Sequence, residues 1–122
     1  MTTILVTDDS TAQRELIAGL LVDNGFSVIT AIDGEQALEK VQETLFDLII
    51  LDVVMPKLNG FQTCRKLKED PKTQNIPVIL CSTKNTDVDR YWAKKQGANE
   101  YIVKPFSPNE LIEKVQQLLG QA

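Results

Sequence analysis

Several short apolar runs of this sequence end in side chains that could do chemistry. The acid pair Asp8 and Asp9 follows the first run, and Asp52 ends the run at 48–51. Two further runs are followed by the residues Ser82, Thr83 and Lys104. Taken singly, each has a structural interpretation as a helix cap, a turn residue or a solvated charge. Brought together, they would form a site for a cation and a phosphoryl group.

The residue types indicate which cation and which reaction. Carboxylates about 4 Å apart repel by roughly 4 kcal/mol per pair at an effective dielectric of 20, so three of them need a cation. Oxygen ligands without histidine or cysteine favour Mg²⁺, which readily shares its shell with phosphate. A carboxylate can accept a phosphoryl group, while Lys104 and a hydroxyl can hold the phosphoryl oxygens. We therefore expect Mg²⁺-dependent phosphoryl chemistry.

Composition excludes several other classes of function. The chain of 122 residues contains no histidine, so histidine-based catalysis and a phosphohistidine of its own are excluded. Its cysteines, Cys64 and Cys81, are too far apart for a zinc site and suit reduced, structural thiols. Net charge is −4 and the basic residues are scattered, so no nucleic-acid binding is expected. Without a long apolar run or a leader, we expect no membrane insertion and a cytoplasmic location.

Alternating segments would position the reactive side chains. Apolar runs predict strands at residues 3–7, 26–30, 48–52, 77–81 and 101–103. Helices are expected after the strands, beginning near Ser10, Asp33, Gly60, Thr86 and Ser107. The residues from Ser10 to Gln13 and from Ser107 to Glu110 match capping boxes. The helix that ends at Gly97 is the least apolar, so we expect it to be the most weakly anchored.

Five strands alternating with five helices predict an α/β fold, with a doubly wound parallel sheet covered on both faces. In the flavodoxin-like strand order 2-1-3-4-5, strands one and three are neighbours at the point where the order reverses. Because the carboxyl ends of parallel strands lie at one edge of the sheet, the acids of these two strands should meet there. The length is that of one domain covering residues 1–122.

The sequence resembles the CheY-like receiver domains of response regulators in two-component signalling over essentially its whole length. The matching residues are Val6-Thr7-Asp8-Asp9-Ser10, Leu51-Asp52-Val53-Val54-Met55-Pro56 with Asn59-Gly60, Cys81-Ser82-Thr83, Gly97-Ala98 and Lys104-Pro105-Phe106. The resemblance implies that Asp52 is the phosphoacceptor, Ser82 the switch hydroxyl and Lys104 the phosphate partner. It also implies a cis peptide bond between Lys104 and Pro105.

The resemblance further implies a Mg²⁺ site and a switch. Asp9, Asp52 and the carbonyl of Val54 would be direct ligands, and Asp8 would help through water. Tyr101 would be the switch aromatic. Thr83 departs from the family pattern, which usually has Ala or Gly after the switch hydroxyl, and a β-branched residue there is expected to narrow access to the phosphoryl group.

The function implied is a stand-alone switch that is phosphorylated by a histidine kinase or a phosphotransfer protein. It would assist its own Mg²⁺-dependent phosphotransfer and slow dephosphorylation without being an enzyme. Because the chain ends after the fifth helix, output would pass to a separate downstream protein, or the chain would be a phosphate sink or relay intermediate. Similarity at 83–85, 89–92 and 96–98 to PilH-type regulators of type IV pilus motility indicates motility or taxis.

Two alternatives from other classes are open at this point. A Mg²⁺ phosphohydrolase with an aspartyl nucleophile would be expected to have an Asp-x-Asp pair, but Val54 stands two residues after Asp52. A docking module that does not use phosphorylation would not need the complete set of acids, hydroxyl and lysine.

Overall fold

A computed structural model describes residues 1–120 as five strands alternating with five helices. The strands are β1 (Thr3–Thr7), β2 (Ser27–Ala31), β3 (Leu48–Asp52), β4 (Val78–Ser82) and β5 (Glu100–Val103). The helices are α1 (Thr11–Asp23), α2 (Gly34–Glu43), α3 (Gly60–Glu69), α4 (Asp87–Lys95) and α5 (Pro108–Leu118). Within the described part of the chain, no helix combines the length and the apolar content needed to cross a membrane.

All neighbouring strands are parallel, and their order is β2-β1-β3-β4-β5. The predicted doubly wound α/β fold is therefore confirmed. The largest differences in strand position are one residue: β2 and β4 lie one residue later than predicted, and β5 begins one residue earlier. The register places Thr7 opposite Leu51, Asp52 opposite Cys81 and Ser82 opposite Val103. The strand ends that carry polar side chains are thus adjacent along one edge of the sheet.

The sheet is buried on both faces, as the continuous apolar run of β3 predicts. Ile49 and Leu51 belong to one apolar cluster, with side chains of α2 and α3, whereas Leu48 and Ile50 belong to another, with side chains of α1 and α5. All four are at most 1% exposed. Because full burial of such a side chain stabilises a fold by about 1.5–3 kcal/mol, β3 is firmly held where Asp52 ends it.

The helix starts differ in one respect from prediction. At α1 the side chain of Ser10 accepts a hydrogen bond from the backbone N–H of Gln13, and at α5 the side chain of Ser107 accepts one from the backbone N–H of Glu110. The reciprocal capping boxes lie instead at α3, between Asn59 and Gln62, and at α4. The N–H of Ser10 donates to Asp8 Oδ1 at 2.9 Å, so it is already engaged. The hydrogen bond from Ser10 N–H to Asp8 therefore takes the place of the one that the Gln13 side chain would accept in a complete capping box at α1.

Helix α4 is weakly anchored, as predicted. Ala93 is its only buried residue, whereas Val88, Tyr91 and Trp92 are large apolar side chains that remain exposed. The N-terminus of α4 is well capped, because Thr86 and Asp89 hydrogen-bond reciprocally. Polar bonds at its end, rather than a buried face, thus hold much of this helix.

Candidate functional site

Three carboxylates converge at the carboxyl edge of the sheet. Asp8 and Asp9 follow β1 and Asp52 ends β3, and each offers an oxygen within 4.8 Å of the others. Asp8 is buried and Asp9 is exposed, so the cluster has an inner wall and an outer side open to solvent. The structure thus brings together the three acids that the sequence analysis selected.

Lys104, the residue that follows β5, joins this cluster. Its Nζ donates to Asp8 Oδ2 and to Asp52 Oδ1, each at 3.0 Å. The side chains of Lys104 and Asp52 are each 12% exposed, so both ion pairs are shielded from solvent. With three carboxylates and one ammonium group, the formal charge of the cluster is −2 when all four groups are ionised.

The turn between β1 and α1 fixes the orientation of Asp8. Ser10 N–H donates to Asp8 Oδ1, while Lys104 donates to Oδ2, so both carboxylate oxygens have partners. Arg14 of α1 adds a bond from Nη1 to the carbonyl oxygen of Asp8 at 2.8 Å. The sequence analysis did not find Arg14, because a helical arginine has no distinguishing signal until its distance to the turn is known.

The loop after β3 holds Asp52 from its backbone side. Val53 N–H donates to the Cys81 carbonyl, and Gly60 N–H donates to the Val53 carbonyl, both at 2.9 Å. A side chain at Gly60 would collide with the carbonyl oxygen of Asp52, so this approach requires glycine. Val54 lies in this loop with an exposed side chain, and the proposed role of its carbonyl stays a prediction.

Ser82 and Thr83 differ in their surroundings. Ser82 is buried, and its Oγ accepts from the N–H of Lys84 at 3.1 Å. Its carbonyl accepts from Lys104 N–H at 2.8 Å, which ties β4 to the lysine. Thr83 is exposed and, with Lys104, lines a surface pocket of about 360 Å³. The β-branched side chain of Thr83 is therefore open to solvent and shares a pocket with Lys104.

Tyr101 is attached to the loop between β4 and α4. Its hydroxyl donates to the Lys84 carbonyl at 2.8 Å, and the guanidinium of Arg90 lies 5.5 Å from the centroid of its ring. Burial raises the pKa of the Tyr101 hydroxyl above its ordinary value. The peptide bond between Lys104 and Pro105 is cis, as the family resemblance implies.

Burial and charge act on the two ionised groups at the centre of the site. Burial raises the pKa of Asp52, and the negative charges of Asp8 and Asp9 act in the same direction, against the stabilising hydrogen bond from Lys104. Burial acts to lower the pKa of Lys104, but its hydrogen bonds to Asp8 and Asp52 outweigh this and the pKa is raised. The lysine therefore stays protonated, while ionised Asp52 is under electrostatic strain.

The donor set fits Mg²⁺. The acids supply carboxylate oxygens alone, which are the ligands that Mg²⁺ prefers, and the remaining charge of −2 matches a divalent cation. Asp9 is the acid most open to solvent, which suits an ion that keeps several of its waters. The arrangement can therefore hold a divalent cation next to a carboxylate nucleophile and an ammonium donor.

Comparison with known proteins agrees with this geometry. The family description "Response regulator receiver domain" matches residues 4–116. Protein PilH of Pseudomonas aeruginosa is 35% identical over 120 residues, which cover 98% of this chain and 99% of PilH. The chain spans about half the length of the transcriptional regulatory proteins among its curated relatives, for example 51% of CpxR from Escherichia coli.

Solved structures show the same architecture. Chemotaxis protein CheY4 of Vibrio cholerae superimposes with a TM-score of 0.92 at 34% identity, covering 97% of this chain and 98% of CheY4. The receiver domain of sensor histidine kinase PA1611 from Pseudomonas aeruginosa has a TM-score of 0.90 at 27% identity, with 98% of both chains covered. That structure has a magnesium ion coordinated in its active site cleft. This chain belongs to the response regulator receiver domain family of two-component signalling.

Proposed function

We propose that Asp52 accepts a phosphoryl group from the phosphohistidine of a histidine kinase or a phosphotransfer protein. The observation that carries this proposal is the position of Lys104, whose Nζ lies 3.0 Å from a carboxylate oxygen of both Asp8 and Asp52. An ammonium group held beside the acceptor can bind the oxygens of an incoming phosphoryl group. The residual negative charge of the cluster suits the cation that such transfers use.

In the transfer, a carboxylate oxygen of Asp52 forms a bond to phosphorus while the bond from phosphorus to the donor imidazole nitrogen breaks. The electron pair of the broken bond stays on that nitrogen, and Asp52 becomes an aspartyl phosphate. Asp52 Oδ1 accepts from Lys104, so Oδ2 is the oxygen we assign as nucleophile. The raised pKa of Asp52 makes its carboxylate more basic, which favours attack.

When bound, Mg²⁺ supplies positive charge that offsets the charge on the phosphoryl oxygens. Asp9, Asp52 and the carbonyl of Val54 would hold the ion directly, and Asp8 would hold it through water. Asp8 is oriented for this role by Ser10 N–H and Lys104, which fix its two carboxylate oxygens. Lys104 would have a partner in both the unphosphorylated and the phosphorylated protein, because it pairs with the acids before transfer and with the phosphoryl group after it.

Dephosphorylation would be slow and assisted by the domain itself. The water molecule that attacks phosphorus would have to pass the residue after Ser82, which in this chain is the exposed Thr83. The extra methyl and hydroxyl of threonine, compared with the Ala or Gly usual in the family, narrow that path. We therefore expect Thr83→Ala to shorten the lifetime of the phosphorylated state.

The signal would leave through α4, β5 and α5. A phosphoryl group adds about −1.5 to −2 charges and three acceptor oxygens, which attract the Ser82 hydroxyl away from Lys84 N–H. Tyr101 is bonded to the carbonyl of the same Lys84, so movement of this loop reaches β5 and α4. A shift from 1:99 to 99:1 needs roughly 5.5 kcal/mol, more than one hydrogen bond supplies, so Ser82 acts together with Lys104 and the cation.

We further propose that the chain works in the cytoplasm as a receiver that signals to another protein in motility or taxis. Support comes from PilH, which matches this chain over 99% of its own length, and from the chemotaxis protein CheY4. The many longer relatives differ in containing sequence that this chain does not match.

Intact-mass measurement tests the phosphoacceptor. The protein is incubated with Mg²⁺ and acetyl phosphate, in wild type, in Asp52→Asn and in Asp23→Asn, a matched change at an exposed aspartate outside the site. We expect a mass gain of one phosphoryl group in wild type and Asp23→Asn, and none in Asp52→Asn. A stable gain in Asp52→Asn would refute Asp52 as the acceptor.

A further inference from the structure

A surface groove lies between α3 and α4, away from both the acidic cluster and the face formed by α4 and β5. It has a volume of about 580 Å³, and the side chains that line it include Arg65, Lys68, Glu69, Tyr91, Trp92 and Lys95. A separate pocket on the other side of α4 is lined by residues of α4 and β5, including Tyr101. The groove is therefore distinct from the output face described above.

The groove is positive in an otherwise acidic protein. Three basic side chains and one acid line it, a formal charge of +2 in a chain of net charge −4. Arg65 pairs with Glu69 at 3.6 Å, but both side chains are more than 60% exposed, so this pair contributes little and can exchange partners. Lys95 lies 5.7 Å from the centroid of the Tyr91 ring and has no carboxylate partner within the described residues.

Aromatic surface stands next to these cations. Trp92 is 49% exposed and Tyr91 is 56% exposed, and their rings contact each other edge to face with centroids 5.7 Å apart. Trp, Tyr and Arg are the residue types that most often dominate the binding energy at protein interfaces. Here all three are exposed in one groove. Neither ring packs in the two apolar clusters of the core, and neither belongs to the acidic cluster.

One wall of the groove is fixed. Lys68 reaches from α3 to the Ile76 carbonyl at 2.7 Å and to Asn99 Oδ1 at 3.1 Å, so its ammonium group is held by the fold. A side chain at Gly97, two residues after α4, would collide with the stem of Lys68, so the glycine leaves room for the lysine. The positive charge of Lys68 is thus built into the groove, whereas Arg65 and Lys95 are available to a ligand.

We propose that this groove binds an acidic segment of a partner protein that carries an apolar side chain. Carboxylates of the segment pair with Arg65 and Lys95, and the apolar side chain packs on Trp92. The proposal rests on charge complementarity between the groove and such a segment, and it does not depend on Asp52. Because α4 forms one wall of the groove and one side of the output face, an occupied groove restrains the helix that responds to phosphorylation.

Selection from a displayed library of random twelve-residue peptides tests the proposal with the full chain. We expect enriched peptides to be acidic and to contain a large apolar residue. Binding of a synthetic copy should change the fluorescence of Trp92, the single tryptophan of the chain, and should weaken several-fold when salt rises from 50 to 500 mM.

Variants locate the binding. Arg65→Glu combined with Lys95→Glu should weaken the peptide at least tenfold, whereas Lys66→Glu, an exposed lysine of α3 that does not line the groove, should leave it unchanged. Circular dichroism and thermal unfolding confirm that each variant is folded. Peptide binding should persist in Asp52→Asn. A failure of the groove proposal can therefore be distinguished from a failure of the phosphotransfer proposal.

Several results would overturn the proposal. They are no enrichment, enrichment of neutral or basic peptides, equal loss of binding in Lys66→Glu, or unchanged binding in the double variant. Sedimentation velocity adds a further outcome: a dimer of wild type that the double variant abolishes would assign the groove to a second copy of this chain instead.

Discussion

The acidic cluster and helix α4 are built in opposite ways. The cluster stands on the ends of adjacent buried strands, and the side chains of Asp8, Asp52 and Lys104 are each at most 12% exposed. Helix α4 buries only Ala93 and exposes its aromatic residues. The difference fits the two tasks of the proposed function: the groups that react would need a fixed geometry, whereas the helix that reports the reaction would need a second position within reach.

The sizes of the stabilising contributions support this difference between the acidic cluster and α4. Each strand side chain that is fully buried contributes about 1.5–3 kcal/mol, whereas a helix cap contributes about 1 kcal/mol. Helix α4 depends on the pair of Thr86 and Asp89 at its start and on Cys64 Sγ donating to the Gln96 carbonyl at 3.4 Å near its end. A change of a few kcal/mol can therefore shift α4 without disturbing the sheet.

The largest expected effect is at Lys104. Lys104→Ala leaves Asp8 and Asp52 without their shared cation, and we expect a loss of about 3 kcal/mol in the free energy of unfolding without Mg²⁺. Lys114→Ala, which breaks a more exposed pair with Glu100, should cost less than about 1 kcal/mol. Urea denaturation at pH 7 measures both. Equal losses would contradict the view that the cluster is the tightly held region.

The sign of the pH dependence can be checked on the same proteins. The pKa of Lys104 is raised in the folded state, so its contribution to stability is fully present below the ordinary lysine value of 10.5. It is lost as pH rises above that value through the folded pKa. The difference between wild type and Lys104→Ala should therefore be steady from pH 8 to pH 10 and shrink beyond it.

The next effect concerns the backbone beneath Asp52. Gly60→Ala places a Cβ against the Asp52 carbonyl and 2.8 Å from Val53 Cα, so the strand end must move. We expect a loss of about 1–3 kcal/mol and weaker Mg²⁺ binding by calorimetry. Gly19→Ala in α1, where a Cβ meets nothing within 4 Å, should instead stabilise the protein by about 0.5–1 kcal/mol. Stabilisation by both changes would contradict the close packing at Asp52.

These sites show what the sequence could predict. The strands were predictable because four-residue apolar runs such as 48–51 can only be buried, and the acids at their ends must then share an edge. The weak anchoring of α4 was also predictable, because too few apolar residues cannot form a buried face. The strand order followed from the doubly wound pattern, and the family resemblance supplied the specific role expected of each site residue.

What could not be predicted depends on distances between elements. The capping box expected at Ser10 is incomplete because Asp8 takes the N–H that Gln13 would need. The bond from Arg14 to the Asp8 carbonyl and the reach of Lys68 to Asn99 join residues whose spacing in sequence has no regular pattern. The bond from the Tyr101 hydroxyl to the Lys84 carbonyl is a further contact of this kind.

A smaller effect is expected from removing charge at Asp52. The pKa of Asp52 is raised in the folded state, so its ionisation disfavours folding as pH rises above the ordinary value of 3.8. Asp52→Asn should therefore be more stable than wild type at pH 7 by on the order of 1 kcal/mol without Mg²⁺, and the difference should vanish as pH falls to about 4. Urea denaturation as a function of pH measures it. A variant less stable than wild type at pH 7 would mean that the bond from Lys104 outweighs burial and repulsion.

The smallest expected effect tests how α4 is held. Tyr101→Phe removes the hydroxyl that donates to the Lys84 carbonyl at 2.8 Å and keeps the ring beneath Arg90. Because the bond is partly solvated, we expect global stability to fall by only about 0.5 kcal/mol. Native-state hydrogen exchange should nevertheless show faster exchange in α4, since local opening of a weakly anchored helix depends on each remaining bond. Exchange in β1 and β3 should change only by the loss of global stability.

Tyr91→Phe is the matched control. Tyr91 is exposed on α4, and the tyrosine hydroxyl bonded to the Lys84 carbonyl is that of Tyr101. Equal exchange in α4 for both variants would show that the Tyr101 bond does not restrain this helix, and the path from Ser82 to α4 would then have to run through other residues.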